Sequence, residues 1–134
     1  MTEDWPERLR EGYEAFNRGD FEAMIALAAP DIELADRAEA PDPGSYRGID
    51  AARAQMGDVS AGFEDYRLDP EEIFMAGDSR VVAVVRQTGR GELSGVEVQD
   101  TIAHVWEIRE GKIAGMRAYS SREEAVAAAE AADG

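Results

Sequence analysis

Apolar residues recur along this chain with two different periods. Near the amino terminus the period is helical, and Trp5, Leu9, Tyr13 and Phe16 share one face. Asp4 and Glu7 form a capping box at the start of that helix, Pro6 sits in its tolerated first turn, and Gly19 marks its end. Asp20 caps a second predicted helix whose inward face is Phe21, Met24, Ile25 and Ala28, with Pro30 closing it. The period then drops to two over residues 32–36, a short strand with Ile32, Leu34 and Asp36 on one side. Residues 37–47 contain Pro41, Pro43 and Gly44 and read as a loop suited to covering a cavity mouth. A third helix is predicted over 49–61, with Ile49, Ala52 and Met56 inward and Gly57 weakening it.

Strand patterning dominates the remainder. Segments 66–75 (interrupted at Pro70), 80–88, 96–108 and 112–119 alternate, separated by a turn at 76–79, a bend marked by Gly89, Gly91 and Gly95, and a tight turn at Glu110-Gly111. Ser121 and Glu124 form a further capping box, opening a helix to about Ala132. The pattern predicts a single α+β domain over residues 1–134. It is a curved antiparallel sheet packed on three N-terminal helices, with a C-terminal helix, forming a cone with an apolar interior.

The 96–108 strand carries the candidate chemistry. Val98, Asp100, Ile102, His104, Trp106 and Ile108 share a face, and an apolar wall holding an aspartate and the chain's single histidine is how a small-molecule pocket is often lined. A two-residue turn at Glu110-Gly111 requires a left-handed glutamate, so a three-residue loop pairing Trp106 with Ala114 is expected. That register puts Ala114, Met116 and Ala118 on the His104 face and turns Ile113, Arg117 and Tyr119 outward.

Composition narrows the functional classes. A formal net charge of −15 disfavours nucleic acid and anionic membrane surfaces as partners. No apolar run is long enough for a membrane span, and the acidic N-terminus lacks the apolar stretch of a secretory signal, which together with the absence of cysteine points to a cytoplasmic protein. One histidine and no cysteine leave little for a metal site, and no cofactor is expected.

The motifs Tyr13-Glu-Ala-Phe-Asn-Arg-Gly-Asp20, Tyr46-Arg-Gly48, Gly95-Val-Glu-Val98, Ala103-His-Val-Trp106, Glu110-Gly-Lys-Ile113 and Arg117-Ala-Tyr119, in this order and spacing, resemble the SnoaL-like members of the NTF2-like superfamily. The resemblance covers essentially the whole chain and implies the cone. Ketosteroid isomerases of this superfamily use an aspartate base with a tyrosine and a protonated aspartate as oxyanion donors. Counted from the Asn-x-Gly-Asp motif, Asp36 falls on the position of the base, His104 replaces the protonated aspartate, and Gly12 stands at the tyrosine position with Tyr13 one residue away. The catalytic aspartate of the superfamily's cyclases and epoxide hydrolases aligns with Ala118 and is absent.

The resemblance implies cofactor-independent acid–base chemistry on an apolar, carbonyl-containing molecule. Asp36 would be the base, His104 with Tyr13 would hold the oxyanion, and Phe16, Met56, Asp100, Ile102, Trp106, Met116 and Ala118 would line the substrate site. The competing reading is a ligand-binding or dimerisation domain without catalysis, in which His104 is a core histidine satisfied by a hydrogen bond. A homodimer through the outer sheet face is expected, with Thr101, Ala103, Val105, Ile113 and Tyr119 making that face semi-apolar.

Overall fold

A computed structural model describes residues 4–35 and 45–133. Helix α1 (Trp5–Asn17) is capped by Asp4, whose side chain accepts from the backbone N–H of Glu7. Helix α2 (Phe21–Ile25) is capped in the same way by Asp20. Strand β1 (Ala28–Ala35) and the short β2 (Ser45–Arg47) follow, then α3 (Ile49–Ala61). Strands β3 (Phe63–Met75), β4 (Arg80–Gly91), β5 (Glu97–Arg109) and β6 (Lys112–Tyr119) precede the final helix α4 (Arg122–Asp133). The six strands form one sheet in the order β2-β1-β6-β5-β4-β3. Every neighbouring pair is antiparallel except β1 with β6, which is parallel. This is the α+β cone that the pattern predicts, with one parallel seam that it does not.

Two boundaries move. The second helix stops at Ile25, and Ala28, expected on its buried face, opens β1 instead. Between Ala28 and Glu33 the β1–β6 register shifts, and Pro30 lies in that unpaired stretch, where its missing N–H breaks no ladder bond. At the far end, residues 45–47 of the expected loop pair with residues 33–35 of β1 as an edge strand. The rest of that loop lies outside the described residues.

The turn between β5 and β6 also departs from expectation. Arg109 pairs with Lys112, so the loop has two residues, with Glu110 at φ 53° and Gly111 at φ 75°. Both are left-handed, as a type I′ turn demands, so the glutamate takes the conformation that its side chain disfavours. A bulge follows. Ile108 pairs with Ile113, but Glu107 pairs with Gly115 and Trp106 with Met116. The extra residue, Ala114, faces the outer side together with Gly115, whereas Ile113 packs in the inner core. Ala114 and Ile113 are therefore exchanged relative to the expected register. Past the bulge Met116 and Ala118 face inward and Arg117 and Tyr119 outward, as expected.

The inner sheet face packs on the three N-terminal helices. Leu9, Tyr13, Met24, Ile25 and Ala52 meet Val81, Ala83, Val85, Ile102, Trp106 and Ile113 in one buried cluster. Helix α4 packs on the opposite face, where Ala125 and Ala129 bury Val82 and Ala103 against Val105 and Tyr119. The outer face is thus partly covered by the chain's own helix. Of the residues expected to make it semi-apolar, Ile113 lies inside and Ala103 is fully buried. Among the described residues no helix is long and apolar enough to cross a membrane.

Candidate active site

Between the helices and the concave sheet lies a cavity of about 570 Å³. Its walls are mostly apolar: Phe16, Met24, Ile25, Met56, Phe63, Leu68, Ile102, Trp106, Ile113 and Met116 all contribute. The polar lining residues are Tyr13, Gln55, Tyr66, Gln87 and His104. Strand pairing explains the convergence: His104 sits opposite Ala83 on β4 and Ala118 on β6, two small residues that leave room in front of the ring.

A buried hydrogen-bond chain fixes the imidazole. Nε1 of Trp106 donates to the Tyr13 hydroxyl at 3.0 Å, and that hydroxyl lies 2.6 Å from Nδ1 of His104. The indole can only donate, so the Tyr13 oxygen is its acceptor. The phenolic hydrogen needs an acceptor of its own in this buried place, and Nδ1 is the one within reach. His104 is therefore the tautomer with its proton on Nε2, and Nε2 has no partner among the described residues. The Tyr13 and His104 ring planes lie within 9° of each other, and Trp106 meets both edge-on. Burial lowers the imidazole pKa to about 4, so the ring is neutral near pH 7. Burial pushes the Tyr13 hydroxyl well above its ordinary range, against the opposing hydrogen bond from Trp106. The arrangement presents a neutral, oriented N–H donor to an apolar space, suited to holding a carbonyl or enolate oxygen.

Placement differs among the expected site residues. His104, Tyr13, Phe16, Met56, Ile102, Trp106, Met116 and Ala118 all line the cavity. Tyr13 does not offer its own proton to a ligand, because the hydroxyl is occupied on both sides; it positions His104 instead. Asp100 is corrected: it is exposed beyond the cavity and accepts from Nε2 of Gln87 at 3.3 Å. Alternation puts Asp100 on the right face, but β5 runs on past the cavity there. Asp36 lies outside the described residues, one position beyond β1. Gly12, the residue at the tyrosine position of the resemblance, packs against α2 so closely that a Cβ would lie 2.8 Å from Sδ of Met24. Among the described residues no three His, Cys, Asp or Glu side chains are grouped as metal ligands would be.

The polar lining residues that sequence reasoning missed are Gln55, Tyr66 and Gln87. Tyr66 donates its hydroxyl proton to Oε1 of Gln87 at 2.5 Å. A signal existed: Val81, Ala83, Val85 and Gln87 form one alternating row on β4, so Gln87 continues an inward face.

Residues 9–116 match the family model for the SnoaL-like domain. No match was found among curated proteins. Solved structures share the fold over nearly the full length. An NTF2-like protein from Burkholderia thailandensis is 26% identical with a TM-score of 0.79, covering 96% of this chain and 98% of that one. A protein with a ketosteroid isomerase-like fold from Catenulispora acidiphila, solved with trimethylamine, is 19% identical with a TM-score of 0.75, covering 94% and 93%. TerC, co-crystallised with polyporic acid, is 23% identical with a TM-score of 0.72, covering 90% and 96%.

Proposed function

The chain belongs to the SnoaL-like domain family, and from that premise we propose that its cavity binds a largely apolar, carbonyl-containing molecule and transfers a proton next to the carbonyl without a cofactor. The observation that carries this reading is the Trp106–Tyr13–His104 chain, which leaves the neutral Nε2–H for the cavity. In this reading the ligand's carbonyl oxygen accepts from Nε2 of His104. Asp36 takes the proton from the adjacent carbon, the C–H electron pair moves into the carbonyl, and the enolate oxygen is held by the same donor. The proton returns from the Asp36 carboxyl at the same or a neighbouring carbon. His104 does not serve as the base, because its Nδ1 already accepts from the Tyr13 hydroxyl and its other ring nitrogen carries the proton.

A second reading, binding without catalysis, is favoured by one observation: no carboxylate is among the described residues lining the cavity. The two separate in D₂O. A turnover-competent protein exchanges the methyl protons of 4-acetylbiphenyl for deuterium, followed by proton NMR, and Asp36→Asn abolishes the exchange while circular dichroism stays unchanged. Exchange that persists in Asp36→Asn removes the assignment of the base. Tight binding with no exchange in the parent protein favours the binding module.

A further inference from the structure

Gln87 is a polar group of the cavity that the proton-transfer reading does not use. Gln87 lies on the same strand face as Ala83, four residues further along β4, and Ala83 pairs with His104 while Gln87 pairs with Asp100. Four residues of extended chain separate the two levels by about 13 Å along the sheet, at roughly 3.4 Å each. Exposure rises along that distance. His104 is 6% exposed, whereas Gln87 is half-buried and Asp100 is open to solvent. The Gln87 amide is held at both ends: its oxygen accepts from Tyr66, and one N–H donates to Asp100. These contacts fix which way the amide points, and its second N–H has no partner among the described residues. The walls between the two groups are apolar, and no charged side chain is among the described lining residues, so a charged ligand would lose its hydration without a counter-charge.

We propose that Gln87, oriented by Tyr66 and Asp100, is a second ligand-binding pole, so that the preferred ligand is an elongated, uncharged molecule with a hydrogen-bond acceptor at each end. This rests on the reading of His104 as the inner donor. One acceptor meets Nε2–H of His104 and the other meets the free N–H of Gln87, with the apolar body against Phe16, Met56, Ile102 and Met116.

The test is a ladder of three probes of one shape: 4,4′-diethylbiphenyl, 4-acetyl-4′-ethylbiphenyl and 4,4′-diacetylbiphenyl. Titration calorimetry with the parent protein should show affinity rising by about fivefold with the first acetyl group, the worth of one neutral hydrogen bond. The second acetyl group should add a similar factor, because either orientation of the singly acetylated probe already meets one donor. In Gln87→Leu the first gain should fall to about threefold and the second to under about twofold, the statistical factor alone. Tyr66→Phe, which frees the amide without removing it, diminishes the second gain and guards against a folding defect in Gln87→Leu. A second gain no larger than that statistical factor in the parent protein, or undiminished in both variants, overturns the proposal. If the first gain is present in those cases, the His104 reading stands alone. If neither gain appears, or none of the three probes binds, both are overturned.

Discussion

Replacing Tyr13 by Phe isolates one oxygen atom. The ring keeps its place beside His104 and Trp106, and only the hydroxyl between Nδ1 and Nε1 is lost. That hydroxyl is the sole partner of both nitrogens among the described residues, so its removal leaves one buried donor and one buried acceptor unpaired. Each such group costs about 1–3 kcal/mol. The cavity can admit water to part of the gap, which places the expected destabilisation at about 2–4 kcal/mol by urea unfolding. A chemical signature accompanies it. Because the chain has one histidine, its imidazole nitrogens give one unambiguous pair of ¹⁵N resonances. In the parent protein these should report an unprotonated Nδ1 and a protonated Nε2, unchanged down to about pH 5, one unit above the pKa of about 4. In Tyr13→Phe the two neutral tautomers should mix, because nothing then selects Nδ1 as the acceptor. A parent protein with its proton on Nδ1, an imidazolium at pH 6, or a stability loss below about 1 kcal/mol would refute the reasoning.

Three further outcomes are expected. Burial lowers the folded-state pKa of His104 to about 4 against about 6.5 unfolded, so the unfolded chain binds the extra proton first. Stability from this group is full above pH ~6.5, falls as the pH drops towards 4, and amounts to about 3 kcal/mol; His104→Gln should lack that slope when urea unfolding is compared from pH 7 to 4. Glu110→Asn should raise stability by about 0.5–1 kcal/mol in thermal unfolding, since asparagine tolerates the left-handed first position of the turn better than glutamate; a lower melting temperature would contradict the turn assignment. Gly115→Ala should cost about 1–3 kcal/mol, because a Cβ there would lie 3.2 Å from the backbone oxygen of Glu33 across the parallel β1–β6 seam, where little can yield.

Periodicity made the architecture legible because long helices and long strands each bury one side. The faces of α1 and α3 and the inward row of β5 follow from it directly. It specifies a face and not a depth, and so Asp100 reads as a cavity residue although it lies past the cavity's edge. Boundaries failed where two signals compete. Ala28 fits the helical spacing of Met24 and Ile25, but the sheet takes it, with the backbone N–H of Ile113 donating to the Leu27 carbonyl at the seam. The turn failed for the opposite reason. Local preference at Glu110 argues for a longer loop, and the pairing of Ile108 with Ile113 in the core outweighs it. The Tyr13–His104 contact joins residues 91 positions apart, and nothing in either local pattern encodes it.

Ala114 contributes no side chain to the cavity, yet the shape of the cavity depends on it. With it removed, Ile113, Met116 and Ala118 would still alternate inward on an unbroken strand, and only the bend between them would go. Curvature and lining chemistry are therefore separable in this wall, and a single-residue deletion acts as a size control that leaves the recognition groups untouched. A protein lacking Ala114 should accept bulkier or flatter members of the probe series in a changed order of preference, with Nε2 of His104 still the donor that they meet.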